Sequence, residues 1–286
     1  MSDKQIAILY HGGCPDGFGA AYAAWKKFGD AADYIPVQYG RPVPEHLEGK
    51  KLYFVDFCYP GEIMQPIIAS AASVTVLDHH LGNKANVESM PEHVFDESRS
   101  AATIAWSYFF PNTPVPLLLQ YVQDGDLYVH KLPDSRALLA YMYAQPFHFE
   151  TWDGLCAQLE DAVIRAVLTE RGKIYAEHFE ILIEQIAHKA TLVSFEGYEC
   201  YLATAPHMFV SDVGNRLATT RPPLAVIANF RGDVLNVSLR SDPSVDVSAI
   251  ARKYGGNGHP QASAFRLEWG APLPWTVLKE HEDSRG

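Results

Sequence analysis

Residues 74–80 read Val-Thr-Val-Leu-Asp-His-His, a short apolar run that ends in three side chains able to bind a metal or carry a proton. A run of this length, rich in β-branched residues, predicts a buried strand. Two further runs, residues 6–10 and 52–55, predict strands that end in a similar way, at His11 and at Asp56. The carboxyl ends of neighbouring parallel strands meet at one edge of a sheet, so we expect these polar side chains to lie together.

The segments between these strands predict helices, because apolar residues recur there at helical spacing. The predicted helices cover residues 16–28, 63–72, 101–110 and 116–122. Strands that alternate with helices indicate βαβ units. We therefore expect an α/β fold whose first domain, residues 1–150, is a mainly parallel sheet flanked by helices.

The rest of the chain predicts a linker and a second, smaller α/β domain. Residues 151–190 carry apolar residues at helical spacing, as one long helix or as two helices broken near Gly172. The predicted elements that follow are strands at 199–204, 224–230 and 234–240, and a helix at 247–254. We expect a connecting helix or helices over 151–190, a domain over 191–286 and a frayed tail after Lys279.

Composition indicates a folded protein that does not bind long nucleic acid. The length of 286 residues fits two domains, and a hydrophobic fraction of 48% excludes a largely disordered chain. Thirty-four acidic residues outnumber 23 basic ones, which argues against the broad basic surface that long nucleic acid requires. No apolar run has the length of a membrane span or a signal-peptide core, and the four cysteines are scattered without a CxxC pair. We therefore expect a cytoplasmic protein with reduced thiols.

The acids and imidazoles at the predicted strand ends indicate a metal centre. Besides the triplet at residues 78–80, the candidates are His11, Asp16, Asp56, Asp124 and Asp126. Crowded carboxylates raise one another's pKa unless a cation neutralises them. Imidazole and carboxylate ligands favour manganese, iron or zinc over calcium, and two such ions can assist a displacement at phosphorus. Any one of these residues could be an ordinary turn or surface residue, but their joint placement at one edge favours a metal.

These motifs resemble those of the DHH-family phosphoesterases. The triplet follows a strand, as in that family, and residues 11–21, 53–56, 96–102 and 124–127 resemble four further family motifs in the same order. Residues 238–241 and 255–262 resemble the phosphate-contacting segments of the DHH-associated substrate-binding domain. The resemblance covers nearly the whole chain and implies a metal-dependent phosphohydrolase of two domains.

The resemblance also implies metal ligands. One ion would be held by four residues: Asp16, Asp56, His79 and Asp124, with Asp126 as the alternative to the last. A second ion would be held by His11 and Asp56, so that Asp56 bridges the two. The implied cofactor is Mn²⁺, as one or two ions, with other divalent ions as alternatives.

The Asp-His-His triplet would form the catalytic group. In addition to the ligand His79, the resemblance implies that Asp78 and His80 either orient a ligand or face the substrate. Such partners fix the orientation of a ligating imidazole and tune its basicity. No separate protein base is expected, because divalent ions lower the pKa of a bridging water.

Cys14 departs from the family pattern, which carries Asp two residues before the Asp of the Asp-Gly pair. A thiolate is a poor ligand for manganese but binds soft or borderline ions. The His11 site would then be weak, hold a different ion or hold none. Cys14 is either a metal ligand that makes the enzyme sensitive to oxidation or to metal identity, or a small apolar filler.

Two segments are candidates for binding the phosphate of a substrate. Those in the second domain are Arg240, Gly256, Gly258 and His259. Arginine offers a planar fork, and glycines let backbone N–H groups approach phosphate oxygens. In the first domain, Arg99 and Ser100 precede a predicted helix whose N-terminus attracts anions, although Ser100 could equally be a plain N-cap.

The expected function is the hydrolysis of phosphoester bonds in small anionic substrates. Candidate substrates are short oligoribonucleotides, linear dinucleotides, the nucleotide 3′-phosphate pAp, cyclic dinucleotides and polyphosphate. The alternatives are an exopolyphosphatase and a nucleotide-binding module with impaired catalysis, which only Cys14 supports. We expect no long nucleic acid and no membrane as partners, and we leave a homodimer open.

Overall fold

The computed structural model describes residues 4–278, so the expected frayed tail lies outside the described residues. The chain divides into two compact units, the first ending at Glu177 and the second beginning at His178. This division falls inside the region expected to connect the domains.

Both units contain helices and strands. The strands are β1 (Ile6–His11), β2 (Ala32–Val37), β3 (Lys51–Val55), β4 (Ser73–Asp78), β5 (Glu92–Phe95), β6 (Thr191–Phe195), β7 (Tyr198–Thr204), β8 (Leu224–Arg231), β9 (Val234–Ser241), β10 (Asn257–His259), β11 (Ala262–Glu268) and β12 (Trp275–Val277). The helices are α1 (Pro15–Phe28), α2 (Gly61–Ser70), α3 (Lys84–Glu88), α4 (Ala101–Phe109), α5 (Leu117–Asp126), α6 (Ser135–Tyr143), α7 (Phe149–Glu160), α8 (Ala162–Ala187), α9 (Val210–Thr220) and α10 (Val247–Lys253).

The first unit contains the predicted parallel sheet. Its order is β2-β1-β3-β4-β5, and every neighbouring pair is parallel. Successive side chains of a strand alternate between two apolar clusters; Ile8 lies in the cluster with α1, α4, α5 and α7, and Leu9 lies in the cluster with α2. Because apolar residues cover both faces, the strands read as continuous apolar runs. The predicted α/β fold is confirmed.

The register of this sheet places the candidate residues side by side. Tyr10 pairs with Val55, and Val55 pairs with Leu77. The next residues along the three chains are His11, Asp56 and Asp78, which therefore leave the sheet at the same level.

The connecting region is two helices, but the break is not at Gly172. It lies at Asp161, whose Oδ1 accepts from the N–H groups of Val163 and Ile164 and so caps the start of α8. Helix α8 continues through Gly172, where a Cβ would fall 2.1 Å from the carbonyl oxygen of Ala137. This glycine allows a close helix contact, which explains its presence without a break.

The second unit is a mixed sheet with helices on both faces. Its strand order is β10-β11-β9-β8-β7-β6-β12, and among the described strands of this second sheet only β7 and β8 pair in parallel. Helix α10 packs in the apolar cluster on one face, and α9 packs in the cluster on the other. Among the helices of residues 4–278, none combines the length and the apolar character needed to span a bilayer.

Candidate metal centre

Acidic and imidazole side chains from five elements of the first unit converge at the carboxyl edge of its sheet. The converging residues are His11 from β1, Asp16 from α1, Asp56 after β3, Asp78 to His80 at the end of β4, and Asp126 from α5. The ligand atoms form three overlapping groups, each compact enough to hold an ion. Sequence reasoning predicted this convergence from the strand ends.

His79 lies at the centre of three carboxylates. Its Nε2 atom is 3.6 Å from Asp16 Oδ2, 3.5 Å from Asp56 Oδ1 and 3.5 Å from Asp126 Oδ2. Ligands at about 2.1 Å from one ion in a tetrahedral arrangement lie about 3.4 Å apart, which matches the distance from His79 to each carboxylate. The ligand atoms of Asp16, His79 and Asp126 also lie within 4.8 Å of one another, as sharing one cation requires. Asp56 Oδ1 is buried and has no hydrogen-bond partner among the described residues, as expected of an oxygen that needs a cation.

The other oxygen of Asp56 faces a second group. Asp56 Oδ2 lies 3.3 Å from His11 Nδ1 and accepts a weak hydrogen bond from Cys14 Sγ at 3.6 Å. Asp56 therefore belongs both to the group with His11 and Cys14 and to the group with Asp78, His79 and His80.

The backbone of Asp56 is left-handed, with φ of 58°. Such a conformation costs an ordinary residue free energy and persists where the surrounding structure requires it, which is common at functional sites. The side chain is 1% exposed. A carboxylate held in this way at the strand end is already positioned to bind.

Asp78 orients the two histidines that follow it. Its Oδ1 accepts from the backbone N–H groups of His79, at 2.7 Å, and His80, at 3.1 Å, and from His80 Nδ1, at 2.7 Å. Burial lowers the pKa of His80, but Asp78 outweighs it and raises that pKa to about 9.

Asn83 is a contributor that the sequence reasoning missed. Its amide donates to Asp78 Oδ2 at 3.4 Å and to the Tyr39 hydroxyl at 2.5 Å. A buried amide three residues after the triplet is a weak sequence signal, because asparagine is also a common turn residue.

Electrostatics show that the centre needs positive charge. Burial, with help from Asp126 and Asp56, raises the pKa of Asp16 to about 8. Burial opposes the charged form of His79, but Asp56, Asp126 and Asp16 outweigh it and raise the pKa of His79 to about 10. A protonated imidazole is thus the cation that the metal-free carboxylates retain, and a divalent ion can take its place.

Asp124 does not belong to the centre, and the expectation that it is a ligand is corrected in favour of Asp126. Its carboxylate accepts from the N–H groups of Lys131, at 2.9 Å, and Leu132, at 3.2 Å. Both aspartates lie on α5, and residues two apart on a helix point about 200° apart. Since Asp126 faces His79, Asp124 must face the loop.

The predicted anion site at Arg99 and Ser100 is also corrected. The first amides of α4, from Ala101 and Ala102, donate to the two oxygens of Asp16 at 2.7 Å and 2.9 Å, so this helix N-terminus already holds a carboxylate. Ser100 is fully buried and its side chain caps nothing. The Arg99 guanidinium donates along α4, to Thr103 O and Ser107 Oγ.

In the second unit, the glycines serve backbone packing. A Cβ on Gly256 would fall 2.2 Å from Ala264 O, and one on Gly258 would fall 2.5 Å from Ala262 O. Their N–H groups donate to Ala251 O and Asn257 Oδ1, so neither amide is available to cradle a phosphate as predicted.

Arg240 and His259 occupy matching positions in this sheet. Both pair with Ala262 of β11, from the strands on either side of it. Residues paired across neighbouring strands point to the same face of the sheet. Arg240 and His259 therefore lie on one face, roughly 10 Å apart, with the small side chain of Ala262 between them. The Arg240 guanidinium also donates to Ser211 Oγ at 2.9 Å.

Comparisons with known sequences identify relatives of this chain. No family model matches the chain. An uncharacterised protein of Acanthamoeba polyphaga mimivirus is 29% identical over 289 residues, which cover 92% of this chain and 68% of that protein. Oligoribonuclease NrnB of Bacillus subtilis is 30% identical over 122 residues, which cover 42% of this chain and 27% of that enzyme.

A solved structure extends the likeness to most of the chain. The DHH domain of a member of the s1p family of ribosomal proteins superposes with a TM-score of 0.58 at 12% identity, covering 93% of this chain and 83% of that one. The DHH-type fold implied by the sequence motifs is thereby confirmed.

Proposed function

We propose that this chain of DHH-type fold is a metal-dependent phosphohydrolase that cleaves phosphoester bonds of short oligoribonucleotides, linear dinucleotides or pAp. The observation that carries the proposal is the group around His79, where Asp16, Asp56 and Asp126 lie at ligand spacing about one imidazole nitrogen. Three carboxylates and one imidazole suit Mn²⁺, which we propose as the cofactor.

The candidate site of the first unit combines buried side chains with partly exposed ones. Asp16, Asp56 and His79 are each at most 3% exposed, whereas the side chains of His11, His80 and Asp126 are 26–28% exposed. A divalent ion held there would polarise a phosphoryl oxygen and lower the pKa of water. The buried side chains would hold the ion, and the partly exposed side chains would leave access for a substrate.

His80 is the group best placed to contact that substrate. The hydrogen bond from its Nδ1 to Asp78 fixes the ring, which leaves Nε2 on the opposite side of the imidazole. A partly exposed N–H at Nε2 can donate to a phosphate oxygen. Asp78, which is fully buried, then acts through His80 and does not contact the substrate.

Substrate choice is supported by the likeness to oligoribonuclease NrnB and by residues of the second unit. The matching positions of Arg240 and His259 provide two donors on one sheet face, as phosphate recognition requires. A net charge of -11 opposes binding to long nucleic acid and is compatible with a short anionic substrate.

The test is a parallel assay of the full chain after chelation and re-addition of Mn²⁺. The substrates are labelled oligoribonucleotides of two to five residues, pAp, cyclic dinucleotides and polyphosphate. We expect Mn²⁺-dependent release of mononucleotides from the oligoribonucleotides, abolished by Asp56→Asn.

Asp153→Asn is the matched control, because Asp153 contacts Tyr22 and Lys26 and no member of the centre. Turnover of polyphosphate alone would replace the proposal with an exopolyphosphatase. Tight nucleotide binding without turnover under any divalent ion would replace it with a binding module.

A further inference from the structure

We propose that His11, Cys14 and Asp56 form a thiolate-containing metal site that selects zinc over manganese, so that the centre takes two different ions. The inference deepens the proposed function and rests on it only in requiring that the centre bind divalent ions. It concerns the residue at which this chain departs from the sequence pattern it resembles.

The three side chains are close enough to share an ion. Their ligand atoms all lie within 4.8 Å of one another. Asp56 Oδ2 is the common neighbour, at 3.3 Å from His11 Nδ1 and 3.6 Å from Cys14 Sγ. A site with three protein ligands and a position left for water or substrate is the usual form of catalytic zinc.

A second observation concerns Asp56, the carboxylate that this site shares with the residues around His79. The Asp56 side chain is 1% exposed, and its Oδ1 is buried without a hydrogen-bond partner among residues 4–278. A buried carboxylate oxygen in this state carries a large desolvation cost unless a cation neutralises it. Its two oxygens face different groups, one around His79 and one around Cys14, so one ion on each side would satisfy both.

The surroundings of Cys14 distinguish a ligand from an apolar filler. The other three cysteines each contact an apolar cluster: Cys156, Cys58 and Cys200. Cys14 contacts none of the apolar clusters formed by the described residues, and its thiol points at a carboxylate. It stands at the N-cap of α1.

The donor atoms of the two groups favour different ions. Around His79, Asp16 and Asp126 complete one compact group, and Asp56 lies 3.5 Å from the same imidazole nitrogen; carboxylates with imidazole suit Mn²⁺. The group around Cys14 offers one imidazole, one thiolate and a shared carboxylate, and thiolate with imidazole suits Zn²⁺. The preference for zinc over manganese therefore follows from the soft thiolate ligand at position 14.

Cobalt substitution tests the thiolate ligand directly. The metal-free full chain is titrated with Co²⁺, and the thiolate-to-cobalt charge-transfer absorption in the near ultraviolet is recorded. We expect this band in the wild type and in Cys156→Ser, and its loss in Cys14→Ser. Serine is a favourable N-cap, so Cys14→Ser should fold, which circular dichroism checks. Absence of the band from the folded wild type, or its persistence in Cys14→Ser, would overturn the inference.

Competition for the site tests selectivity. The metal-free chain is dialysed against Zn²⁺ with an increasing excess of Mn²⁺, and its metal content is measured at each ratio. Zn²⁺ binds such sites more tightly than Mn²⁺ in general, so we expect one zinc per wild-type chain to resist a larger excess of Mn²⁺ than the zinc bound by Cys14→Asp. Equal metal content in the two proteins would reject the selectivity. The proposed function fails separately, through loss of all metal-dependent hydrolysis, whichever ion Cys14 binds.

Discussion

Asp78 orients the two histidines that follow it through hydrogen bonds to its carboxylate. It is fully buried, and one of its oxygens accepts three hydrogen bonds, two of them from His80. We expect Asp78→Asn to lower Mn²⁺ affinity or activity about 10–100-fold, because outer partners of a metal site typically contribute that much. Mn²⁺ titration and steady-state kinetics measure the effect.

The matched control for that substitution is Asp96→Asn. Asp96 also accepts hydrogen bonds from a residue two positions later, Ser98, but that turn is exposed. If the two variants had equal metal affinity and activity, Asp78 would not support the centre.

Proton release provides a second prediction at the level of single residues. The pKa values of Asp16, about 8, and His79, about 10, mean that both groups hold a proton at neutral pH when no metal is present. A metal ion must displace those protons, so Mn²⁺ affinity should rise from about pH 6 to about pH 8, up to about tenfold per unit for each proton released. Calorimetry in buffers of different ionisation enthalpy counts the protons. Affinity that is constant across this range would contradict the charge balance described for the centre.

Two aspartates at the end of helix α5 have different roles: Asp124 stabilises the following loop, and we expect Asp126 to bind the metal. Asp124 holds the following loop through the N–H groups of Lys131 and Leu132, and its backbone oxygen accepts from Val129 and His130. We expect Asp124→Ala to lower the free energy of unfolding by about 1–3 kcal/mol, because it removes charge-assisted hydrogen bonds to two backbone N–H groups of the loop. Asp126→Ala should instead weaken Mn²⁺ binding with little effect on unfolding. Denaturant unfolding and metal titration of both variants decide the assignment, and an exchange of the two phenotypes would reverse it.

The contact of α8 with α6 provides a second prediction at the level of helices. A Cβ on Gly172 would fall 2.1 Å from backbone Ala137 O, which cannot move like a side chain. We expect Gly172→Ala to destabilise the protein by about 1–3 kcal/mol through overpacking. Gly154→Ala in α7 meets nothing within 4 Å, so it should stabilise by about 0.5–1 kcal/mol through helix propensity. Urea unfolding of both variants measures the difference; a stabilised Gly172→Ala would show that the helices separate freely.

Sequence could predict the elements whose pattern is local. The strands near residues 6–10, 52–55 and 74–77 are continuous apolar runs, and the structure places them in the first sheet as β1, β3 and β4. Strand β2 was missed because it contains Pro36 and is only partly buried, as suits an edge strand. The break near Gly172 was mispredicted because glycine reads as a helix breaker when its packing partner is unknown.

Sequence could predict the centre only as far as strand ends determine it. His11, Asp56 and the Asp-His-His triplet follow directly from the topology of a parallel sheet. The choice between Asp124 and Asp126 depends on the rotation of α5 against the sheet, which a predicted helix ending at residue 122 could not specify. The Arg99 and Ser100 prediction failed because the partner of that helix N-terminus, Asp16, is 85 residues away from Ala101.

For the molecule as a whole, the proposed function depends on a divalent ion at the edge of the first sheet. The sheet order and register bring three strand ends to one level, and α1 and α5 add Asp16 and Asp126. Every proposed activity follows from that convergence, whichever substrate the second unit favours.

The most direct measurement is anomalous X-ray diffraction from crystals of the full chain grown with Mn²⁺. We expect a manganese peak within bonding distance of His79 Nε2 and of carboxylate oxygens from Asp16, Asp56 and Asp126. Crystals with manganese elsewhere, or with no peak at His79 under conditions that saturate activity, would contradict it.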